Sequence, residues 1–249
     1  MRIKISFAHF ATFRGHSILR SPRRTANQIT LANRFMLCPA DIADAVTTGL
    51  RARAAADDLE QVVYGFDSFA ELKLHPLVQD SLRAQAWGVF PEQRYPSDWN
   101  NRKQSEGLRC DVVITNDADG PGLRDPRLRG TLFDTIDAVD PEAAYWLEVK
   151  TVSQYTTDGP FKGYSKELLS PVADDVKKLW ADSLIFHSGL LLLLFTESRE
   201  VAEHDLRAWF DRCLKRGYPV ASPAARGFEI TNRIGNGWCE VAVFGVRGV

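Results

Sequence analysis

The sequence predicts an α/β domain of the α+β kind, a mixed central β-sheet flanked by helices, and three observations carry that expectation. Apolar periodicity gives the element order α–α–β–β–β–α–β–α–β–β, with no internal repeat and no low-complexity linker. The run "GLLLLLFT" from Gly189 is far too short for a bilayer, which takes about 20 residues. Its unbroken apolar character suits a strand covered on both faces. Composition is that of an ordinary globular chain: 249 residues, 45% hydrophobic and 25% charged. The net charge of −1 removes the polycationic class of nucleic-acid binder and leaves only local basic patches.

The elements follow in order. The first forty residues hold no Asp or Glu but carry Arg2, Lys4, Arg14, Arg20, Arg23, Arg24 and Arg34. Residues 1–39 are therefore set apart as a basic N-terminal extension from a single domain over 40–249. The extension has three readings: a basic arm on nucleic acid, a transit-like leader, or a start that properly falls near Met36. "PADIADAVTTGLRARAAADDLEQ" has helical spacing, with Pro39 near its start. "DSFAELKLHPLVQDSLRAQ" predicts a second helix, apolar at Phe69, Leu72, Val78 and Leu82, which Pro76 kinks or delays. "WGVFPEQRYP" reads as a strand interrupted by Pro91, and "LRCDVVIT" as a second strand. "NDADGPGLRDPRLRG" is turn-rich. "AYWLEVKTV" is a third strand, and "KELLSPVADDVKKLWADSL" a helix. After the "GLLLLLF" strand comes the amphipathic "EHDLRAWFDRCLKRG", closed by Gly217. "FEITNRIGNGWCEVAVFGV" predicts a hairpin turning at Asn236-Gly237.

Cys38, Cys110, Cys213 and Cys239 are spread along the chain with no CxxC or Cys/His metal spacing. That pattern argues against a zinc site or a disulfide framework and favours a reducing, cytoplasmic setting. No Walker A loop, G-x-S-x-G elbow or H-E-x-x-H motif is present. "GNG" at Gly235 lacks a dinucleotide fingerprint's third glycine.

The chemistry concentrates in "AYWLEVKTV". Glu148 and Lys150 lie two apart on a strand, hence on one face, among residues that otherwise read as core. Two further acid-x-Lys triplets, Glu71–Lys73 and Asp175–Lys177, fall in helical patterns, where i and i+2 do not share a face. Only the Glu148 triplet follows a strand with a lone acid, Asp111, so pairing of the two strands brings Asp111, Glu148 and Lys150 together. Two adjacent carboxylates repel and are reconciled by a divalent cation. All-oxygen ligands suit Mg²⁺, with Mn²⁺ as a substitute, and a neighbouring lysine suits hydrolysis of a phosphodiester. The plainer reading is a same-face Glu148–Lys150 ion pair.

The arrangement resembles the PD-(D/E)XK nuclease superfamily, the restriction-endonuclease-like fold, over roughly residues 67 to 195. Its core order of helix, three strands, helix, strand is matched by the second helix, the strands around Phe90, Asp111 and Glu148, the Lys166–Asp182 helix and the Leu190–Phe195 strand. The resemblance implies a Mg²⁺-dependent nuclease on DNA, with Asp111 and Glu148 holding the metal and Lys150 assisting the attacking water. Cys110 stands where the motif has proline, and the Asp111–Glu148 separation is long. Members often add an acid from the first core helix. Glu71 is the candidate here, against the reading of Ser68-x-x-Glu71 as a capping box; Glu92 and Glu60 are the fallbacks. The alternative is a catalytically silent member of the same fold that binds nucleic acid or protein. A homodimer is left open, and no membrane partner is expected.

Lys166, Lys177 and Lys178 read as a solvated helix face before DNA contacts. "RDPRLRG" and "NRKQ" read as plain loops before phosphate grips, and Trp87, Trp99, Tyr95 and Tyr164 as packing before base stacking.

Overall fold

The computed structural model describes residues 37–100, 107–169 and 171–246. The basic extension, a start near Met36 and "NRKQ" lie outside the described residues. The chain runs α1 (Pro39–Leu59), α2 (Glu71–Arg83), β1 (Gly88–Arg94), β2 (Arg109–Thr115), β3 (Tyr145–Ser153), the short β4 (Tyr155–Thr156) and β5 (Gly159–Pro160), then α3 (Tyr164–Leu169), α4 (Pro171–Ala181), β6 (His187–Thr196), α5 (Arg199–Lys215), β7 (Ala224–Glu229) and β8 (Trp238–Val246).

β6 explains the sheet. Side chains alternate across a strand, so Leu191, Leu193 and Phe195 pack with Ile42, Val46, Leu50, Leu74, Val78 and Leu82 of α1 and α2. Leu190, Leu192 and Leu194 pack on the other face, with Val172, Val176 and Leu179 of α4 and Leu206 and Trp209 of α5. A strand with helices on both sides has no polar face, and "GLLLLLF" has none. The six-stranded sheet is ordered β1-β2-β3-β6-β8-β7. β3 and β6 are parallel and every other neighbouring pair is antiparallel. The fold is thus mixed α/β. Among the described residues no helix is long and apolar enough to cross a membrane.

Several local expectations change in this context. Pro76 lies inside α2 and neither starts nor ends it. Leu72 is 74% exposed, so the buried stripe of α2 is Leu74, His75, Val78, Ser81 and Leu82. Ser68 and Glu71 form no capping box: the N-cap is Ala70, and the Ser68 hydroxyl donates to the Gly65 carbonyl. Pro91 is accommodated inside β1 because that strand is the sheet edge, where one row of amides needs no partner. The helix expected over 166–184 is two, α3 and α4, and α5 ends at Lys215, with Gly217 at φ +70° just past its cap.

β7 and β8 do pair as a hairpin, but Asn236-Gly237 is not its two-residue turn. Asn236 is fully buried. Its Nδ2 donates to Asp67 Oδ2 at 3.0 Å and to the Tyr155 carbonyl at 3.2 Å, and its Oδ1 accepts from the Tyr155 amide at 3.1 Å. The side chain pins three distant segments together. Asn236→Ala strands those groups, and urea unfolding should show a loss of about 1–3 kcal/mol.

Candidate active site

The site is built where β2 leaves β3. The two strands pair through Val112↔Leu147, Val113↔Trp146 and Ile114↔Tyr145. Continuing that register sets Asp111 opposite Glu148. Past Leu147 no strand among the described residues extends the ladder on that side. Carboxylates take its place: Asp111 Oδ2 accepts from the Val149 amide at 2.8 Å, and Glu71 Oε2 from the Thr151 amide at 2.9 Å. Two side chains thereby satisfy backbone donors that a β-strand would otherwise leave open.

Glu148 and Lys150 share the face of β3 that carries Trp146 and Val152, the face covered by α4. Glu148 is 2% exposed. Tyr95, stacked on Trp146 at 6.0 Å, donates its hydroxyl to Glu148 Oε1. Burial, then the charge of Asp111 and a hydrogen bond with it, push the Glu148 carboxyl up to about 9, so it is neutral at pH 7. Burial, with Cys110 and Glu148 nearby, likewise raises Tyr95, which stays a donor.

Lys150 pairs with Glu71 Oε1 at 3.0 Å and stands 3.9 Å from Asp175 Oδ2. The plain Glu148–Lys150 ion pair is therefore not what occupies this lysine. Burial pulls its ammonium down, but the hydrogen bond and charge of Glu71, with Asp175 and Asp111, outweigh that and leave it raised. From α4, Lys178 Nζ meets Asp175 Oδ1 at 2.6 Å. Burial raises the Asp175 carboxyl against the pull of Lys178 and Lys150. Among the described residues, Glu71, Asp111, Glu148 and Asp175 thus lie around Lys150 and Lys178.

All four sequence candidates, Asp111, Glu148, Lys150 and Glu71, converge. Glu71 is not spent on capping. The two helical triplets set aside as unrelated each send their acid here, because Glu71 and Asp175 both face Lys150. Their lysines turn elsewhere: Lys73 lies 6.0 Å over the Phe69 ring, and Lys177 pairs with Asp174 at 2.8 Å. Of the fallbacks, Glu60 is the exposed C-cap of α1. Glu92 of β1 approaches Asp111 from the other side, together with His75 of α2. The sequence reading puts Lys178 on a solvated helix face and Asp175 in a separate helical triplet and makes no site of His75, whereas the structure sets Lys178 on Asp175, Asp175 beside Lys150 and His75 near Asp111. Their signal was position: Asp175 falls on the α4 stripe of Val172, Val176 and Leu179, and His75 follows Glu71 by one helical turn.

The other candidate contacts are mostly spent within the protein. In the β2–β3 loop, Arg124 grips Asp134 through Nε at 2.8 Å and Nη2 at 2.7 Å, Arg127 pairs with Asp125, and Arg129 with Asp140 and Glu142. Those arginines brace the loop. Tyr164 donates to Asp205 at 2.7 Å, and Trp87 packs on the core. A depression of about 470 Å³ lined by Arg199, Leu206, Phe210 and Trp238 shares no residue with the site.

The donor set fits a divalent cation. Asp111 and Glu148 stand opposite each other in the β2–β3 register, and burial together with the Asp111 charge raises the Glu148 carboxyl. Asp111 and Glu148 are the residues that would hold such a cation, and Glu148 would have to be deprotonated to do so. No family model, no curated protein and no solved structure matches the chain.

Proposed function

We propose that the chain is a divalent-metal-dependent nuclease that hydrolyses phosphodiester bonds in DNA, built on the PD-(D/E)XK plan. The observation that supports this best is the convergence of Asp111, Glu148, Lys150 and Glu71 on the unpaired edge of β3. Asp111 and Glu148 would hold the metal, Mg²⁺ or Mn²⁺. When bound, the metal supplies charge stabilisation at a phosphoryl oxygen and acidifies water.

The chain's own residues do the rest. With a metal held there Glu148 would be deprotonated, and the Tyr95 hydroxyl is placed to donate to its carboxylate Oε1. Glu71 holds the Lys150 ammonium in place and keeps it charged. From there Lys150 stabilises the extra negative charge of the pentacovalent transition state and orients the attacking water. Asp175 and Lys178 fix the far side of Lys150. Free thiols at all four cysteines suit the reducing cytoplasm.

A second reading keeps the fold and drops the chemistry. It is favoured by the closure of the site on itself, with Glu148 protonated and Lys150 bonded to Glu71; the protein then binds nucleic acid or a protein partner without cutting. Incubation with supercoiled plasmid, linear duplex, branched DNA and RNA separates the two. The nuclease nicks DNA in Mg²⁺ or Mn²⁺ and stops in EDTA, whereas the silent member leaves DNA uncut in either buffer and retains it on a gel where nucleic acid is its partner.

A further inference from the structure

We infer that His75, Glu92 and Asp111 form a binding site for a divalent first-row transition ion, in which an imidazole from α2 joins carboxylates from β1 and β2. One donor atom from each of the three residues lies within 4.8 Å of the others. Donors that share one ion at about 2.1 Å stand at most about 4.2 Å apart, so a small contraction closes the set.

Each residue is brought there by a separate feature of the fold. His75 follows Glu71 at i+4, so the face of α2 that sends Glu71 to Lys150 sends His75 toward Asp111. Glu92 sits opposite Asp111 in the β1–β2 register, between the pairs Pro91↔Val112 and Gln93↔Cys110, at the one step where the ladder is interrupted. Its φ of +52° lies in the left-handed region that non-glycine residues avoid.

An independent observation is the histidine itself. His75 is only 6% exposed, and its Nε2 is buried with no hydrogen-bond partner. Buried polar groups are nearly always satisfied, and a buried imidazole beside two carboxylates is satisfied by a shared cation. The donor set also selects the ion. Mg²⁺ and Ca²⁺ prefer all-oxygen shells, while imidazole suits Mn²⁺ through Zn²⁺. Three protein ligands leave positions open for water or a phosphate oxygen. The site shares Asp111 with the Asp111–Glu148 pair assigned above, but its occupancy is read by binding without any cleavage, so the two assignments can fail separately.

The test is titration of the metal-stripped full chain with Co²⁺, followed by visible d–d absorbance and calorimetry, in wild type, His75→Gln, Glu92→Gln and Glu148→Gln. Wild type is expected to bind Co²⁺ with d–d bands that report an imidazole ligand. His75→Gln and Glu92→Gln should each weaken binding at least tenfold, with changed d–d bands in the first. Glu92 is exposed, so its variant keeps the test open if His75→Gln folds poorly. Failure of wild type to bind, or binding unchanged in both variants, overturns the site. Loss of binding in Glu148→Gln alone also overturns it and places the ion in the Asp111–Glu148 pair, leaving the nuclease reading intact. Binding that needs His75 and Glu92, in a protein that cuts no DNA, upholds the site and removes the nuclease.

Discussion

Glu148→Gln should make the metal-free protein more stable than wild type, by a margin that grows by up to about 1.4 kcal/mol per pH unit toward pH 8, while abolishing cleavage. The folded protein holds the Glu148 proton up to about 9, against a usual value of 4.5. Between those limits the folded state carries one proton that the unfolded state has released. Stability from this group is therefore fully present below about pH 4.5 and falls by up to about 1.4 kcal/mol per pH unit as pH rises toward 9. Glutamine copies the neutral acid: its carbonyl accepts from Tyr95 and its amide donates to Asp111. It has no proton to lose. The difference between wild-type and variant stability, measured by urea unfolding at pH 5, 6, 7 and 8, should grow with pH. Parallel profiles would show that Glu148 is not held neutral. The variant also loses the anionic oxygen that a cation needs, so stability and activity move in opposite directions, as expected where a site stores unfavourable charge.

Asp111→Asn should lower the single-turnover rate of plasmid cleavage in Mg²⁺ by about 10³-fold, which is about 4 kcal/mol of transition-state stabilisation. The substitution is close to isosteric, and the amide oxygen still accepts from Val149, so β3 keeps its substitute partner. Removing the Asp111 charge also removes one cause of the raised Glu148 value. The variant should thus be at least as stable as wild type at pH 8. A rate loss accompanied by a large stability loss would instead make Asp111 a structural support of the strand edge.

Much of this was legible in the sequence because it depends on local pattern. β6 announces its two-sided burial through its unbroken apolar run. Glu148 and Lys150 announce a shared face through their spacing on a strand, and Asp111 announces the partner strand. What was not legible depended on distant chain. Ser68-x-x-Glu71 satisfies the capping pattern, but the 3₁₀ turn Phe66–Ser68 spends the Ser68 hydroxyl on Gly65, and the Thr151 amide claims Glu71. Asn236-Gly237 satisfies the hairpin pattern, but Asp67 and Tyr155 bury the asparagine. Asp175 looked like half of an unrelated triplet. Only the packing of α4 across β3 sets it beside Lys150.

The central claim is that this cluster cuts DNA through Lys150. It is tested most directly by nicking of supercoiled plasmid in Mn²⁺ by wild type and Lys150→Ala, purified in parallel and shown to be equally folded by near-ultraviolet circular dichroism. The account predicts EDTA-sensitive nicking by wild type and a loss of at least about 10²-fold in the variant. Equal rates in the two preparations would contradict it, because the scission would then come from something other than this site.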